Sequence, residues 1–154
     1  TYFQQVGGVR CKPVSVELTY GLLRLCMFIQ EVDHLKDILW GGGLTWGEVM
    51  GQSEKEYSAF NFEHADVAMY RRHFDDKETE ARTLLEAGLI HPGYDAVIKC
   101  SHIFNVLEAR GAISVTERTG FITRVRNLSR TAARGYVQSR EELGFPLLKE
   151  QQAE

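Results

Sequence analysis

The chain opens on alternation. Thr1–Val6 is rich in β-branched and aromatic side chains and stops at Gly7-Gly8, a turn signal. From Val14 to Tyr20 apolar and polar residues alternate, so Val14, Val16 and Leu18 share one face and Ser15, Glu17 and Thr19 the other. The two runs are expected to be neighbouring antiparallel strands. At Gly21 the period changes to that of a helix, with Leu22, Leu25, Cys26 and Ile29 on one stripe.

Gly41-Gly42-Gly43 reads as a linker, and the pattern beyond it is helical almost throughout. Thr45 with Glu48 has the form of a capping box opening a helix through Tyr57. Asp66 is expected to cap a helix through Ala87, with Val67, Tyr70, Phe74, Ala81, Leu84 and Leu85 inside and Gly88 as its stop. Pro92 suits the first position of a helix that Gly111 ends. Ser114 and Glu117 form a second capping box ahead of Phe121, Ile122, Val125, Leu128, Ala132 and Tyr136. Gly144 and Pro146 terminate order, and Lys149–Glu154 is expected to fray. The division is therefore 1–40, a sheet fragment with one helix, and 41–154, a helical domain, giving an α+β fold dominated by helices.

Composition narrows this modestly. With 154 residues, 44% hydrophobic and 25% charged, the chain has the make-up of an ordinary globular protein and is excluded from the collagen-like and disordered classes. No apolar run approaches a membrane span, and the first residues lack the basic start of a signal peptide. Cys11, Cys26 and Cys100 are too few and too widely spaced for a disulfide framework, and they read as reduced cytosolic thiols. The five histidines show no paired ligand spacing, which argues against structural zinc. His102, in an apolar helix beside Ile103 and Phe104, is expected to be a core histidine, and Tyr94, Phe104, Phe121 and Tyr136 have core spacing.

Two groups of residues suggest chemistry. Glu17 and Thr19 project from one side of the second expected strand, close to Gly21 and Arg24. A carboxylate there suits an ammonium, and Arg24 suits a base or phosphate. Half-exposed strands also produce such pairs as plain solvated faces. The second group lies between Gly111 and Arg140, where Arg118, Arg124, Arg126, Arg130, Arg134 and Arg140 face a single acid, Glu117. Residues 48–87 carry ten acids against five bases, so the formal charge of −3 conceals two opposed regions. One reading pairs the helices inside the bundle. The other turns the arginines, Arg124, Arg126, Arg130 and Arg134 above all, toward RNA or an acidic partner.

Longer strings add a resemblance. Thr1-Tyr2-Phe3-Gln4-Gln5-Val6-Gly7-Gly8, Cys11-Lys12-Pro13-Val14 and Glu17-Leu18-Thr19-Tyr20-Gly21-Leu22 closely resemble the α subunit of bacterial heterotetrameric glycyl-tRNA synthetases. The likeness continues through Asn61-Phe62-Glu63, Ser101-His102 and Gly111–Arg118, ending near Leu143-Gly144-Phe145-Pro146. The Gly41–Leu44 and Gly88–Pro92 connections look like trimmed surface loops.

The resemblance implies a class II aminoacyl-tRNA synthetase, cytoplasmic, that activates glycine with ATP and Mg2+ and charges tRNA(Gly) beside a β subunit, with an α–α dimer in the full-length protein. It makes 1–40 the end of the catalytic domain, with Glu17–Arg24 as the third class signature. Arg24 then packs on adenine and helps hold the phosphates, with Gly21 beside the nucleotide. Glu17 and Thr19 hold the glycine ammonium and crowd its α-carbon, and Gln4 or Gln5 lines the same pocket. Leu23 stands where the family usually has Glu, and Val16 where it usually has Gly. The first two class signatures have no counterpart in the chain, so these residues alone are expected to be inactive. The alternatives are a non-catalytic relative acting as an RNA-binding or protein-interaction module, and a structural helical dimerisation module.

Overall fold

The structure is a computed structural model and describes residues 1–148; the fraying expected at Lys149–Glu154 falls outside them. In order, the elements are β1 (Tyr2–Val6), β2 (Val9–Val16), α1 (Leu22–Gln30), a 3-10 turn (Leu35–Asp37), β3 (Leu39–Gly41), β4 (Leu44–Thr45) and α2 (Trp46–Ala59). A π turn (Phe60–His64), α3 (Val67–Glu86), α4 (Ile90–Ala109) and α5 (Val115–Glu142) follow. The mostly helical α+β class is as expected. Two compact units emerge: Thr1–Tyr2 with Val16–Ala65, and Phe3–Ser15 with the chain from Asp66 onward.

β1 and β2 pair into a two-stranded sheet through the Gly7-Gly8 turn, where φ is +57° and +80°. Positive φ at both central positions is the twist-matched geometry of a two-residue hairpin, which glycine adopts without strain. β2 starts and stops earlier than its alternation suggested. It ends at Val16, so Glu17, Leu18, Thr19 and Tyr20 follow the strand instead of forming its faces.

In the smaller unit the three glycines expected as a linker make a turn. Gly41, Gly42 and Gly43 all have positive φ and return β3 onto β4, pairing Leu39 with Thr45 and Gly41 with Leu44. The Gln30 side chain holds Leu39 from both sides, accepting from its N–H at 2.7 Å and donating to its carbonyl at 3.1 Å. Ile38, Trp46 and Ala65 are the buried apolar residues here. The Thr45–Glu48 capping box forms as expected, with the Glu48 N–H donating to Thr45 Oγ1 at 3.2 Å and Glu48 Oε2 accepting from the Thr45 N–H at 2.7 Å. The Thr45 N–H and the Thr45 hydroxyl, both donating to the Glu48 carboxylate, hold it below its ordinary value.

The larger unit holds the main core, built from α3, α4 and α5. Phe74, Leu107 and Cys100 are its most deeply buried large side chains, joined by Leu85, Val97, Phe104, Phe121 and Leu128. Phe121 meets Phe74 edge-on at 4.7 Å and stacks on Phe104 at 5.8 Å. Asp66 caps α3 by accepting from Met69 N–H at 2.7 Å, and Gly88 closes it at φ +76°. The Ser114–Glu117 box starts α5. α4 begins at Ile90, so Pro92 is its third residue, not its first. Gly93 explains the close approach of α3 and α4, since a Cβ there would lie 2.7 Å from Leu85 Cδ2. His102 and Tyr94 are exposed, because the core stripe of α4 runs through Ala96, Val97, Cys100, Ile103, Phe104 and Leu107 and is already filled; Tyr136, on α5, is exposed as well.

Candidate functional site

The residues singled out near the start of the chain are all surface residues. Glu17 follows β2, its N–H donating to the Thr1 carbonyl at 2.8 Å. Its side chain accepts from the Thr19 hydroxyl at 2.5 Å, so the two polar groups are brought together. A carboxylate with one lone pair occupied by a fixed hydroxyl retains acceptor capacity for an ammonium. Gly21 is the N-cap of α1 and supplies no side-chain cap, and the first turn carries no acid because Leu23 stands there. Arg24, on that uncapped turn, has no carboxylate partner among the described residues. Free N–H groups, a helix dipole and a guanidinium together favour an anion.

Gln4 and Gln5 are consecutive in β1 and both exposed, so alternation puts them on opposite faces of the strand. The expected inner stripe of α1 is not buried. Leu22 is 73% exposed, Ile29 74% and Leu25 42%, Cys26 is half-buried, and neighbouring Phe28, off that stripe, is 83% exposed. Such an open apolar face is unusual in a globular unit.

The arginines of α5 divide into two sets. Arg124 is half-buried and turned toward α3. Its guanidinium donates through Nε to Glu78 Oε2 at 2.8 Å and through Nη2 to Asp75 at 2.5 Å, and it also makes a closer Nη2 contact to Glu78. It lies over the Phe74 ring at 4.5 Å and the Phe121 ring at 5.4 Å. Glu78, only 8% exposed, is held as well by Arg82 at 2.7 Å. Burial pushes the Glu78 carboxyl up, but the bonds from Arg124 and Arg82 outweigh it and leave it below the ordinary range. Arg124 is raised although burial opposes it, because Glu78 and Asp75 favour its charge. Arg118 pairs with Glu108, and Glu117 with Arg71 at 3.2 Å.

The inward set thus bears out pairing within the bundle, and Arg124 leaves the row first expected to face a partner. The signal was present in the sequence: Glu78 falls between Phe74 and Ala81 on the inner stripe of α3, and Arg124 between Phe121 and Leu128 on that of α5. Arg126, Arg130 and Arg134 form the second set. All three are exposed, and no carboxylate among the described residues pairs with them.

A family model described as the glycyl-tRNA synthetase alpha subunit, within the aminoacyl-tRNA synthetase class of ligases, matches residues 1–141. The chain belongs to the glycyl-tRNA synthetase alpha subunit family. Synthetases of this family use ATP. Among the described residues no group of three or more His, Cys, Asp or Glu side chains that could hold a metal ion occurs. No helix of the described chain is long and apolar enough to cross a membrane.

Proposed function

We propose that the chain contributes the glycine- and ATP-contacting end of a class II catalytic domain, residues 1–40, followed by a helical domain, 41–154. The reaction is activation of glycine with ATP and its transfer to tRNA(Gly) in the cytoplasm, beside a β subunit and a second α subunit. The observation that carries the reading is the hydrogen-bonded Glu17–Thr19 pair followed by the uncapped, acid-free first turn bearing Arg24.

Each group has a role suited to its chemistry. Glu17 receives the glycine ammonium in a charge-assisted bond, and Thr19 orients the carboxylate and crowds the α-carbon. Glycine offers no side chain to grip, so discrimination rests on excluding larger residues. Arg24 stacks on the adenine and, with the N–H groups that Gly21 leaves open, neutralises charge on the nucleotide during adenylyl transfer. The guanidinium is suited to both tasks, being planar and permanently charged. Arg126, Arg130 and Arg134 are open to tRNA or the β subunit.

The open apolar face of α1 supports a further point: these residues need additional structure to work. The 154-residue chain alone is expected to give no glycine-dependent ATP–pyrophosphate exchange, whereas the natural α subunit assembled with its β partner does. Exchange by the isolated chain would overturn the claim of insufficiency. Absence of exchange in the natural assembly would favour the second reading, a non-catalytic module, to which the shift from Glu to Leu23 lends support.

A further inference from the structure

The helix α1 carries Arg24 on its first turn and Gln30 at its last position, wholly within the smaller unit. None of its residues is fully buried, and Cys26, Met27 and Gln30 are half-buried. A helix this short owes its place to tertiary packing, and here the packing inside the unit is slight. Its direction must therefore be set by something more local.

Among the described residues Gln30 is the one α1 side chain that hydrogen-bonds another element. Its Oε1 accepts from the Leu39 N–H at 2.7 Å, and its Nε2 donates to the Leu39 carbonyl at 3.1 Å. The carboxamide thus meets β3 as a residue of a neighbouring strand would, exchanging both bonds with one partner. Two bonds to one residue fix the plane of the amide as well as its distance. β3 is itself anchored. The Trp46 N–H donates to the carbonyl of buried Ile38 at 2.7 Å, and Leu39 is in register with Thr45, the N-cap of α2. At the end of α1 the Val32 N–H donates to the Met27 carbonyl at 3.0 Å, and Glu31 has φ +54°, a left-handed closure directly beyond Gln30.

The other end of α1 has no such tie. Gly21 caps it without a side chain, and the Arg24 stem passes 3.9 Å from where a Cβ on Gly21 would stand. Arg24 lies ~9 Å along the axis from Gln30, at ~1.5 Å per residue. A tilt of ~10° about the Gln30 end would carry Arg24 sideways by ~1.6 Å, and a shift of ~1 Å at a group that holds substrate lowers rates steeply.

We propose that Gln30 is a positioning residue for the nucleotide, aligning Arg24 by clamping the far end of α1 to Leu39. The proposal deepens the reading of Arg24 as a nucleotide contact and rests on it. Because Gln30 acts only through Arg24, its loss costs no more than loss of the guanidinium itself.

The test measures glycine-dependent ATP–pyrophosphate exchange by the natural α subunit with its β partner, comparing Gln30→Met, Arg24→Ala and the double variant. Methionine keeps the length of the side chain and loses both bonds. Gln30→Met should lower kcat/KM for ATP about tenfold, the scale of one or two lost hydrogen bonds, with the KM for glycine nearly unchanged. In the Arg24→Ala background the same substitution should cost under ~twofold, because the group it aligns is gone. A merely structural role would instead impair both substrates, by the same factor in either background. If Gln30→Met does not assemble with the β subunit, Gln30→Glu carries the same comparison, since it keeps the acceptor for the Leu39 N–H and loses the donor. Impaired Arg24→Ala beside wild-type ATP kinetics in the Gln30 variant overturns the proposal alone, as does a tenfold loss that persists without Arg24. Wild-type ATP kinetics in Arg24→Ala overturns the reading of Arg24 and the proposal with it.

Discussion

Arg124→Ala is the substitution whose cost the structure defines most fully. It removes two bonds to Glu78, one to Asp75 and a guanidinium lying over two core rings. Breaking a buried ion pair from one side costs about 3–5 kcal/mol, because a charge is left uncompensated. Two features reduce that here. Arg82 still holds Glu78, and the Arg124 side chain is 35% exposed, so water screens part of the interaction. The bond to Asp75, whose side chain is 68% exposed, adds little. Loss of the ring contacts adds ~0.5–1 kcal/mol. The net expectation is about 2–3 kcal/mol, or roughly 8–15 °C in the melting temperature of the larger unit.

The assay is thermal and urea unfolding of Arg124→Ala, Glu78→Gln and the double variant, followed across pH. The double variant should cost at least ~1 kcal/mol less than the sum of the singles. The folded Glu78 carboxyl lies below its ordinary value of 4.5, so the cluster's stabilisation is complete above that value and is lost as pH falls through the folded one. The gap between wild type and Arg124→Ala should therefore narrow on acidification. Arg118→Ala, which removes an exposed pair to Glu108, serves as the reference and should cost under ~1 kcal/mol. An Arg124→Ala cost no larger than the reference, or a gap independent of pH below 4.5, would refute the reasoning.

Two further outcomes follow from packing. Gly7→Ala places a methyl 2.8 Å from Ala133 Cβ at φ +57° and should cost ~2 kcal/mol or more in urea unfolding, whereas Gly8→Ala, with only Arg130 Nε at 3.6 Å, should cost about 1 kcal/mol from backbone strain alone. Equal costs would show that the turn does not pack on α5. Cys100 is fully buried, and burial, aided by Glu78, pushes its thiol up to about 11; iodoacetamide at pH 8 should spare it in the native chain while modifying half-buried Cys11 and Cys26. Mass spectrometry checks this, and prompt native modification of Cys100 would contradict its placement.

Features encoded within a few residues were readable from sequence. The boxes at Thr45–Glu48 and Ser114–Glu117 and the Asp66 cap each join a side chain to a backbone three residues away, the Gly88 stop needs only a positive φ that glycine adopts freely, and all form as expected. Features set by other elements were not. The Gly41–Gly43 turn exists because β3 and β4 pair, and glycines in a row do not by themselves distinguish a turn from a linker. His102 occupies an apolar stretch but sits one position off a stripe that Ile103 and Phe104 already fill. Of the site, the strings around Glu17 and Arg24 were legible as family signature. The Glu17–Thr19 bond required the end of β2 at Val16, which alternation alone carried past.

The most direct test of the account measures glycine-dependent ATP–pyrophosphate exchange by the natural α subunit, assembled with its β partner and carrying Glu17→Gln or Arg24→Ala. If Glu17 holds the ammonium and Arg24 the nucleotide, Glu17→Gln raises the KM for glycine with the KM for ATP nearly unchanged. Arg24→Ala instead lowers ATP-dependent turnover on the order of 100-fold. Wild-type exchange kinetics for both substrates in both variants would remove these residues from the site and contradict the account.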